Sequence, residues 1–145
     1  MKFALTALCL SGSVACAEGA ITFTTDESFD DVTFGIESAI VGRGLVIDAT
    51  SHVGAMLERT RADVGSDIVL FEQADVFSFC SASLSRKVME ADITNLRFCP
   101  YDIFVYTTAA TPGETVVGFN EMPEGAMKEV EALLTDIVHE ALGLE

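Results

Sequence analysis

Basic residues are scarce in this sequence. The chain has 8 Lys and Arg residues against 23 Asp and Glu residues, which gives a formal net charge of −15 at pH 7. A surface of this kind repels phosphate backbones, so nucleic acid is excluded as a partner. We expect attraction toward cations or toward the basic face of another protein, although high charge also serves solubility alone.

Long apolar runs are scarce as well. After the N-terminal segment, no apolar stretch is long enough to cross a bilayer, so we predict no integral membrane segment after processing. The sequence has no linker, internal repeat or low-complexity tract. Half of its residues are apolar, which indicates that the acidic residues coat a packed core and do not mark a disordered chain. We therefore predict one domain over residues 18–145.

Residues 1–17 have the pattern of a secretory signal peptide. Lys2 precedes a short apolar body, and the segment ends in the small residues Ala15-Cys16-Ala17. We predict cleavage before Glu18 and a periplasmic or secreted mature protein. In the alternative, Cys16 is the acylated cysteine of a lipoprotein, although Ser13 stands where such signals usually carry a large aliphatic residue. Both routes export the chain.

Apolar periodicity predicts the element order βαβαβαββα. Alternating stretches rich in β-branched residues predict strands, and apolar residues at three- and four-residue spacing predict helices. A Pro-Gly pair between the last two strands predicts a hairpin loop. We expect one α+β domain with a largely antiparallel sheet and helices packed on one face. The predicted strands are 20–25, 45–50, 73–80, 99–107 and 115–120, and the last helix is 124–142.

The middle of the chain gives one predicted helix and one ambiguous segment. A second helix is expected to begin at a Ser51 cap, to end near Gly65 and to turn four residues inward: Val53, Met56, Leu57 and Val64. The segment 66–72 follows it. This segment is ambiguous, because its apolar run fits either a strand or a loop against the sheet.

Two cysteines belong to a single strand–helix–strand unit over 76–106. Cys80 ends an apolar run and is followed by Ser81, whereas Cys99 opens one and is followed by Pro100. If residues 1–17 are removed, these are the two cysteines left in a compartment where disulfides persist.

This unit resembles a known family, which is catalogued as domain of unknown function 302. The resemblance covers roughly residues 24–141 and depends on three motifs: Gly42-Arg43-Gly44-Leu45, Phe79-Cys80-Ser81-Ala82-Ser83-Leu84-Ser85 and Cys99-Pro100-Tyr101. The cysteine-bearing form resembles an exported subgroup that is associated with bacteria handling reduced sulfur compounds. The resemblance implies a small α+β fold and dimers. It implies no established activity, so no catalytic residue is carried over.

Several chemistries are open to Cys80 and Cys99. The first is a structural disulfide, which would stabilise the fold by roughly 3 kcal/mol. It can form only if the two strands run antiparallel, so that both sulfurs lie at one end of the sheet. The second is a reactive thiol at Cys80, at a helix N-terminus and near Arg86 and Lys87. The sequence has no Cys-x-x-Cys motif, which argues against a thioredoxin-like catalyst.

A metal site is the third chemistry. A soft metal or haem would add His52 or Met89 to the two cysteines, but nothing in the sequence has metal-ligand spacing. We therefore predict no metal and no cofactor. Two buried, inert thiols are the fourth alternative. The serines that follow Cys80 are assigned to helix capping, because no Gly-x-Ser-x-Gly motif and no positioned histidine accompany them.

The functional hypothesis from the sequence is an exported binding or accessory domain in envelope redox or sulfur-compound metabolism. Its partner is an unidentified protein or small ligand. The alternative is a thiol-dependent redox enzyme or sulfur carrier that acts through Cys80. Residues expected to support the cysteine site are Ser81, Arg86, Pro100 and Tyr101. The wide apolar face of the last helix also predicts a homodimer.

Overall fold

The structure is a computed structural model that describes residues 19–144. It contains one five-stranded sheet of order β1-β5-β4-β3-β2, in which every neighbouring pair is antiparallel. The predicted α+β class and the predicted order of helices and strands are confirmed. The predicted signal peptide, with Cys16, lies outside the described residues. The elements are β1 (Ala20–Thr25), α1 (Phe29–Gly42), β2 (Val46–Ser51), α2 (Val53–Thr60), β3 (Gln73–Cys80), α3 (Ala82–Ala91), a 3-10 helix (Ile93–Phe98), β4 (Tyr101–Thr107), β5 (Thr115–Asn120) and α4 (Lys128–Ala141).

The core lies between one face of the sheet and the helices α1 and α4. Alternate residues of each central strand point toward these helices, because successive side chains of a strand point to opposite faces. The opposite face of β4 is only half-buried. The buried residues of the core include Phe77, Phe79, Tyr101, Ile103, Val105, Val117 and Phe119 from the sheet, Val32, Ile36, Ala39 and Ile40 from α1, and Val130, Leu134, Ile137 and Val138 from α4.

The helix α1 has a capped start and is followed by a glycine turn. Ser28 is its N-cap, and the Ser28 hydroxyl accepts a hydrogen bond from the Asp31 amide at 3.2 Å. The helix ends at Gly42, and Gly44 follows with a φ of +72°, a conformation that favours glycine. Among residues 19–144, no helix is long and apolar enough to cross a membrane.

The predicted boundaries of α2 are wrong at both ends. The residue before it is His52 and not Ser51, and no side chain caps it; the helix stops at Thr60, short of the predicted Gly65. The prediction that Met56 faces the core is also wrong. Met56 is 41% exposed, because α2 touches the sheet through a different residue.

Contact between α2 and the sheet is made by Gly54. A side chain at this position would place its Cβ 2.7 Å from the backbone nitrogen of Ala74 in β3. The helix therefore lies very close to β3 at a residue that lacks a side chain. In this geometry Met56 faces solvent, whereas Val53 and Leu57 are half-buried. Val64 lies beyond the end of α2 and is 75% exposed.

Three other elements differ from their predicted bounds. The second strand is Val46–Ser51 and not 45–50, and larger differences are found in the fourth strand and the last helix. The fourth strand begins at Tyr101 and not at Cys99, because residues 93–98 form the 3-10 helix. This helix is held by Asn95, whose buried side-chain amide donates to the Val88 carbonyl at 2.9 Å. The last helix begins at Lys128 and not at residue 124.

Candidate functional site

Cys80 and Cys99 form a disulfide at one end of the sheet. The strands β3 and β4 are antiparallel, and Phe79 pairs with Tyr101. The end of β3 and the residues before β4 therefore meet at the same edge. The two cysteine Cα atoms are 6.4 Å apart, within the range of ordinary disulfides, and both residues are half-buried. The antiparallel arrangement that the sequence analysis required for a bridge is thus present.

The helix α3 starts directly after Cys80. Ser81 is its N-cap, and the Ser81 hydroxyl accepts a hydrogen bond from the Leu84 amide at 3.4 Å. Ser83 is exposed and does not cap the helix, although its Oγ lies 3.4 Å from that of Ser81. Cys80 is therefore the last strand residue before a helix N-terminus, as the sequence predicts.

Ser85 has a role that the sequence does not reveal. It is buried, and its Oγ lies 2.8 Å from the hydroxyl of Tyr101 and 4.0 Å from the Sγ of Cys99. Tyr101 is itself only 1% exposed and packs edge-on against Phe79. The one available signal is spacing: Ser85 is four residues after Ser81, which places both on the same face of α3.

The basic residues of α3 are paired with carboxylates away from the disulfide. Arg86 Nε lies 2.8 Å from Glu90, and Lys87 Nζ lies 2.7 Å from Glu129. Neither cation contacts a cysteine. The structure therefore shows no contact through which Arg86 would support Cys80. Pro100 is exposed, and its peptide bond with Cys99 is cis.

The residues of the hypothetical metal site are not brought together. His52 Nδ1 lies 2.9 Å from the Asp75 carboxylate, near the start of β3, whereas Cys80 is at the end of that strand. Asp75 and Cys80 are five residues apart on this strand, a distance of roughly 17 Å. Met89 is half-buried on α3. Over the described part of the chain, no group of three His, Cys, Asp or Glu residues is placed to hold a metal ion.

A second surface lies near the start of β3 and consists of an apolar groove. It has a volume of about 350 Å³ and runs between α2 and the segment 61–72. The ambiguous segment 66–72 is neither a strand nor a covered loop, since Ile68, Val69 and Leu70 are 68%, 56% and 56% exposed. The apolar side chains that line this apolar groove are Met56, Leu57, Val64, Ile68, Leu70 and Phe71, and the polar lining residues are Glu58, Thr60, Arg61 and Ser66.

Exposed acidic residues are frequent in α2 and in the segment 61–72, which form the two sides of the apolar groove. Arg61 holds the two sides of the groove together, because it donates to both oxygens of Glu58 and to the backbone carbonyl of Asp67, at 3.0 to 3.3 Å. Its charge is thereby matched by Glu58. The exposed acidic residues of these two sides, together named the acidic rim, are Glu58 in α2 and Asp63, Asp67 and Glu72 in the segment 61–72; the exposed basic residue is Arg59.

Comparison with known proteins identifies the family. A family model described as domain of unknown function DUF302 matches residues 21–142. The chain belongs to the DUF302 family. The crystal structure of an uncharacterized conserved DUF302 protein from Bacillus stearothermophilus is similar to this DUF302 chain, with a TM-score of 0.60 and 16% sequence identity. The match covers 88% of this chain and 95% of that one, and it shows the fold alone. No curated protein matches the chain.

Proposed function

We propose that this DUF302 chain is an exported binding domain whose apolar groove docks a protein segment with apolar and basic side chains. The observation that carries the proposal is the contiguous exposure of Ile68, Val69 and Leu70 beside that groove. Envelope redox or sulfur-compound metabolism is the proposed setting. It is supported by the resemblance of the cysteine-bearing unit to the exported subgroup.

Burial of the groove residues provides a driving force for docking. Covering one exposed aliphatic side chain contributes roughly 1.5 to 3 kcal/mol. Three or four such residues would therefore contribute several kcal/mol, against which the loss of translational and rotational freedom must be set. Contiguous apolar residues with a polar rim are typical of protein interaction surfaces.

Charge selects the kind of partner. Glu58 is paired with Arg61, but Asp63, Asp67 and Glu72 outnumber the exposed Arg59, and the whole chain has a net charge of −15. A second copy of the same chain would bring like charge to the groove, whereas a segment with Lys or Arg beside its apolar anchors would bring opposite charge. The favoured occupant is therefore a basic, apolar segment of another protein.

Export is supported by two features. A disulfide between Cys80 and Cys99 is typical of oxidising compartments, and residues 1–17 have the pattern of a signal peptide. Intact-mass measurement of the protein from the periplasmic fraction tests this part of the proposal. We expect a chain that starts at Glu18 and lacks the two thiol hydrogens; an unprocessed chain confined to the cytosol would refute export.

The docking proposal is tested with a defined probe and two matched variants. The probe is a short labelled peptide of Leu and Lys, and fluorescence anisotropy measures its binding. Leu70→Asp places a charge in the groove, whereas Val46→Asp places the same charge at an exposed apolar residue of β2, where Val46 is 72% exposed.

We expect binding to the wild-type protein and to Val46→Asp, and binding about tenfold weaker for Leu70→Asp, which corresponds to roughly 1.4 kcal/mol. A peptide of Leu and Glu should not bind. Equal binding of the Lys peptide to both variants would show that the acidic surface attracts it without the groove, and would refute the proposal.

A further inference from the structure

The disulfide lies against two buried hydroxyl groups. Tyr101 is 1% exposed and Ser85 is 9% exposed, and their hydroxyl oxygens are 2.8 Å apart. Burying a hydroxyl is unfavourable unless it is hydrogen-bonded, and these two groups satisfy each other. The Ser85 oxygen is at the same time 4.0 Å from the Sγ of Cys99. A buried pair of hydroxyl groups thus lies directly beside one sulfur of the bridge.

The direction of the hydrogen bond between these two hydroxyl groups determines whether Ser85 can also donate to Cys99. If the Tyr101 hydroxyl donates to Ser85, the Ser85 hydroxyl is free to donate to Cys99. A disulfide sulfur is a weak acceptor, whereas a thiolate carries a full negative charge and forms a stronger, charge-assisted hydrogen bond. The pair therefore stabilises the open form with a Cys99 thiolate more than it stabilises the closed disulfide.

We infer that the Cys80–Cys99 bridge takes part in thiol–disulfide exchange with an external dithiol, and that Cys99 is the sulfur that leaves. This inference goes beyond the proposed docking function and does not depend on the apolar groove. The dipole of α3 acts near both sulfurs, whereas the Ser85 hydroxyl contacts Cys99. The hydroxyl pair thus determines which sulfur leaves.

The exchange is balanced in atoms and electrons. A thiolate of the external dithiol attacks the Sγ of Cys80, the bond between the two protein sulfurs breaks, and its electron pair goes to Cys99. The second thiol of the dithiol then attacks its own first sulfur and releases Cys80 as a thiolate, which takes up a proton. In total the dithiol is oxidised to a disulfide, and the protein gains two electrons and two protons. A more stable leaving thiolate makes the first step faster.

The equilibrium with glutathione tests the role of the hydroxyl pair. Ser85→Ala removes the donor to Cys99, so we expect the disulfide to become about tenfold harder to reduce, a shift of about 30 mV for this two-electron couple. Tyr101→Phe should shift the equilibrium in the same direction but less, because Ser85 keeps its hydroxyl. The matched control is Ser83→Ala, an exposed serine of the same helical turn, which should leave the equilibrium unchanged.

A merely structural role gives a different result. If Ser85 and Tyr101 only pack the core, Ser85→Ala lowers the free energy of unfolding of the oxidised and reduced proteins equally, and the equilibrium with glutathione does not move. Urea unfolding of both redox forms measures this. That outcome would overturn the assignment of Ser85 and Tyr101 as positioning residues for the exchange.

The site of attack is read directly by peptide mapping. The wild-type protein is exposed briefly to reduced glutathione and then alkylated with iodoacetamide. We expect glutathione on Cys80 and the alkyl group on Cys99. Glutathione on Cys99, or a bridge that the glutathione pool does not reduce, as is typical of structural disulfides, would refute the inference. Loss of peptide binding in Leu70→Asp would leave these results unchanged, so the two proposals fail separately.

Discussion

At the scale of single residues, Gly35 sets the distance between α1 and α4. A side chain at this position would place its Cβ 2.9 Å from the backbone oxygen of Ala141, an atom that cannot move without shifting α4. Helix propensity alone would favour alanine here by roughly 1 kcal/mol. The close contact between the helices outweighs this preference, so the glycine is required by packing.

Gly35→Ala should therefore destabilise the protein. We expect the free energy of unfolding to fall by roughly 1 to 3 kcal/mol, as for other overpacked cores, measured by urea denaturation. Gly42→Ala is the matched control in the same helix, because a Cβ at Gly42 meets nothing within 4 Å. The control should be neutral or slightly stabilising. A Gly35→Ala variant as stable as Gly42→Ala would contradict this account.

The sequence predicts residues well where their role is local and poorly where it is tertiary. Ser28 and Ser81 are caps of their own helices, and both caps follow from nearby residues. Ser85 acts on Tyr101, sixteen residues away, and that contact exists only after β4 is placed beside β3. The two cysteines lie between these cases. The sequence identifies them as a pair, but whether they can form a disulfide depends on the antiparallel pairing of their strands, which is a tertiary feature.

At the scale of elements, α2 shows why a periodic pattern can mislead. Its apolar residues have helical spacing, which predicts that Met56 and Val64 face the core. Spacing cannot tell which face of a short helix lies against the sheet. In the structure Gly54 makes a close contact with β3, and Met56, Leu57 and Val64 line the apolar groove.

The start of α4 is joined to the preceding loop by Glu131. Its carboxylate accepts from the Met122 amide at 2.8 Å and from Lys128 at 3.0 Å. Burial raises the pKa of Glu131. The hydrogen bonds from Met122 and Lys128 lower this pKa by more than burial raises it, so the pKa lies below its ordinary value of 4.5. In turn, the hydrogen bond to Glu131 raises the pKa of Lys128.

This pKa shift predicts how stability changes in acid. Because the pKa of Glu131 is lower in the folded state, its contribution is complete above about pH 4.5 and is lost as the pH falls toward the folded pKa. Glu131→Gln should lower the free energy of unfolding at pH 7 by about 1 kcal/mol, the cost of weakening a charge-assisted hydrogen bond. The difference between variant and wild type should disappear in acid.

Urea denaturation at a series of pH values measures both effects. Glu129→Gln is the control, because Glu129 is on the same helix but forms an exposed ion pair with Lys87, and exposed pairs contribute little. A Glu131→Gln difference that persists unchanged at low pH would mean that the side chain acts through packing and not through its charge.

At the scale of the whole molecule, the structure changes the basis for the predicted homodimer. The sequence predicts a homodimer because the last helix, α4, has a wide apolar face. In the structure Val130, Leu134, Ile137 and Val138 of that face are buried in the core of a single chain. If two copies associate, the apolar groove offers the contiguous surface that α4 does not.

Self-association and partner binding should depend on salt concentration in opposite ways. Two copies with a charge of −15 each repel one another, and this repulsion acts over a Debye length of about 10 Å at 0.1 M salt and about 3 Å at 1 M. We therefore expect sedimentation to give the mass of one chain at low salt and a dimer fraction that grows toward about 1 M NaCl. A basic peptide should show the opposite dependence, because salt screens its attraction to the acidic rim.

The variants Leu70→Asp and Val46→Asp also show which surface two copies of the chain use for contact. Leu70→Asp should abolish the dimer fraction at high salt, because it places a charge in the groove of both copies, whereas Val46→Asp should preserve it. A dimer that persists in Leu70→Asp would place the interface elsewhere. A dimer already present at low salt would show that the acidic surface does not keep the copies apart, and would remove the charge argument for a basic partner.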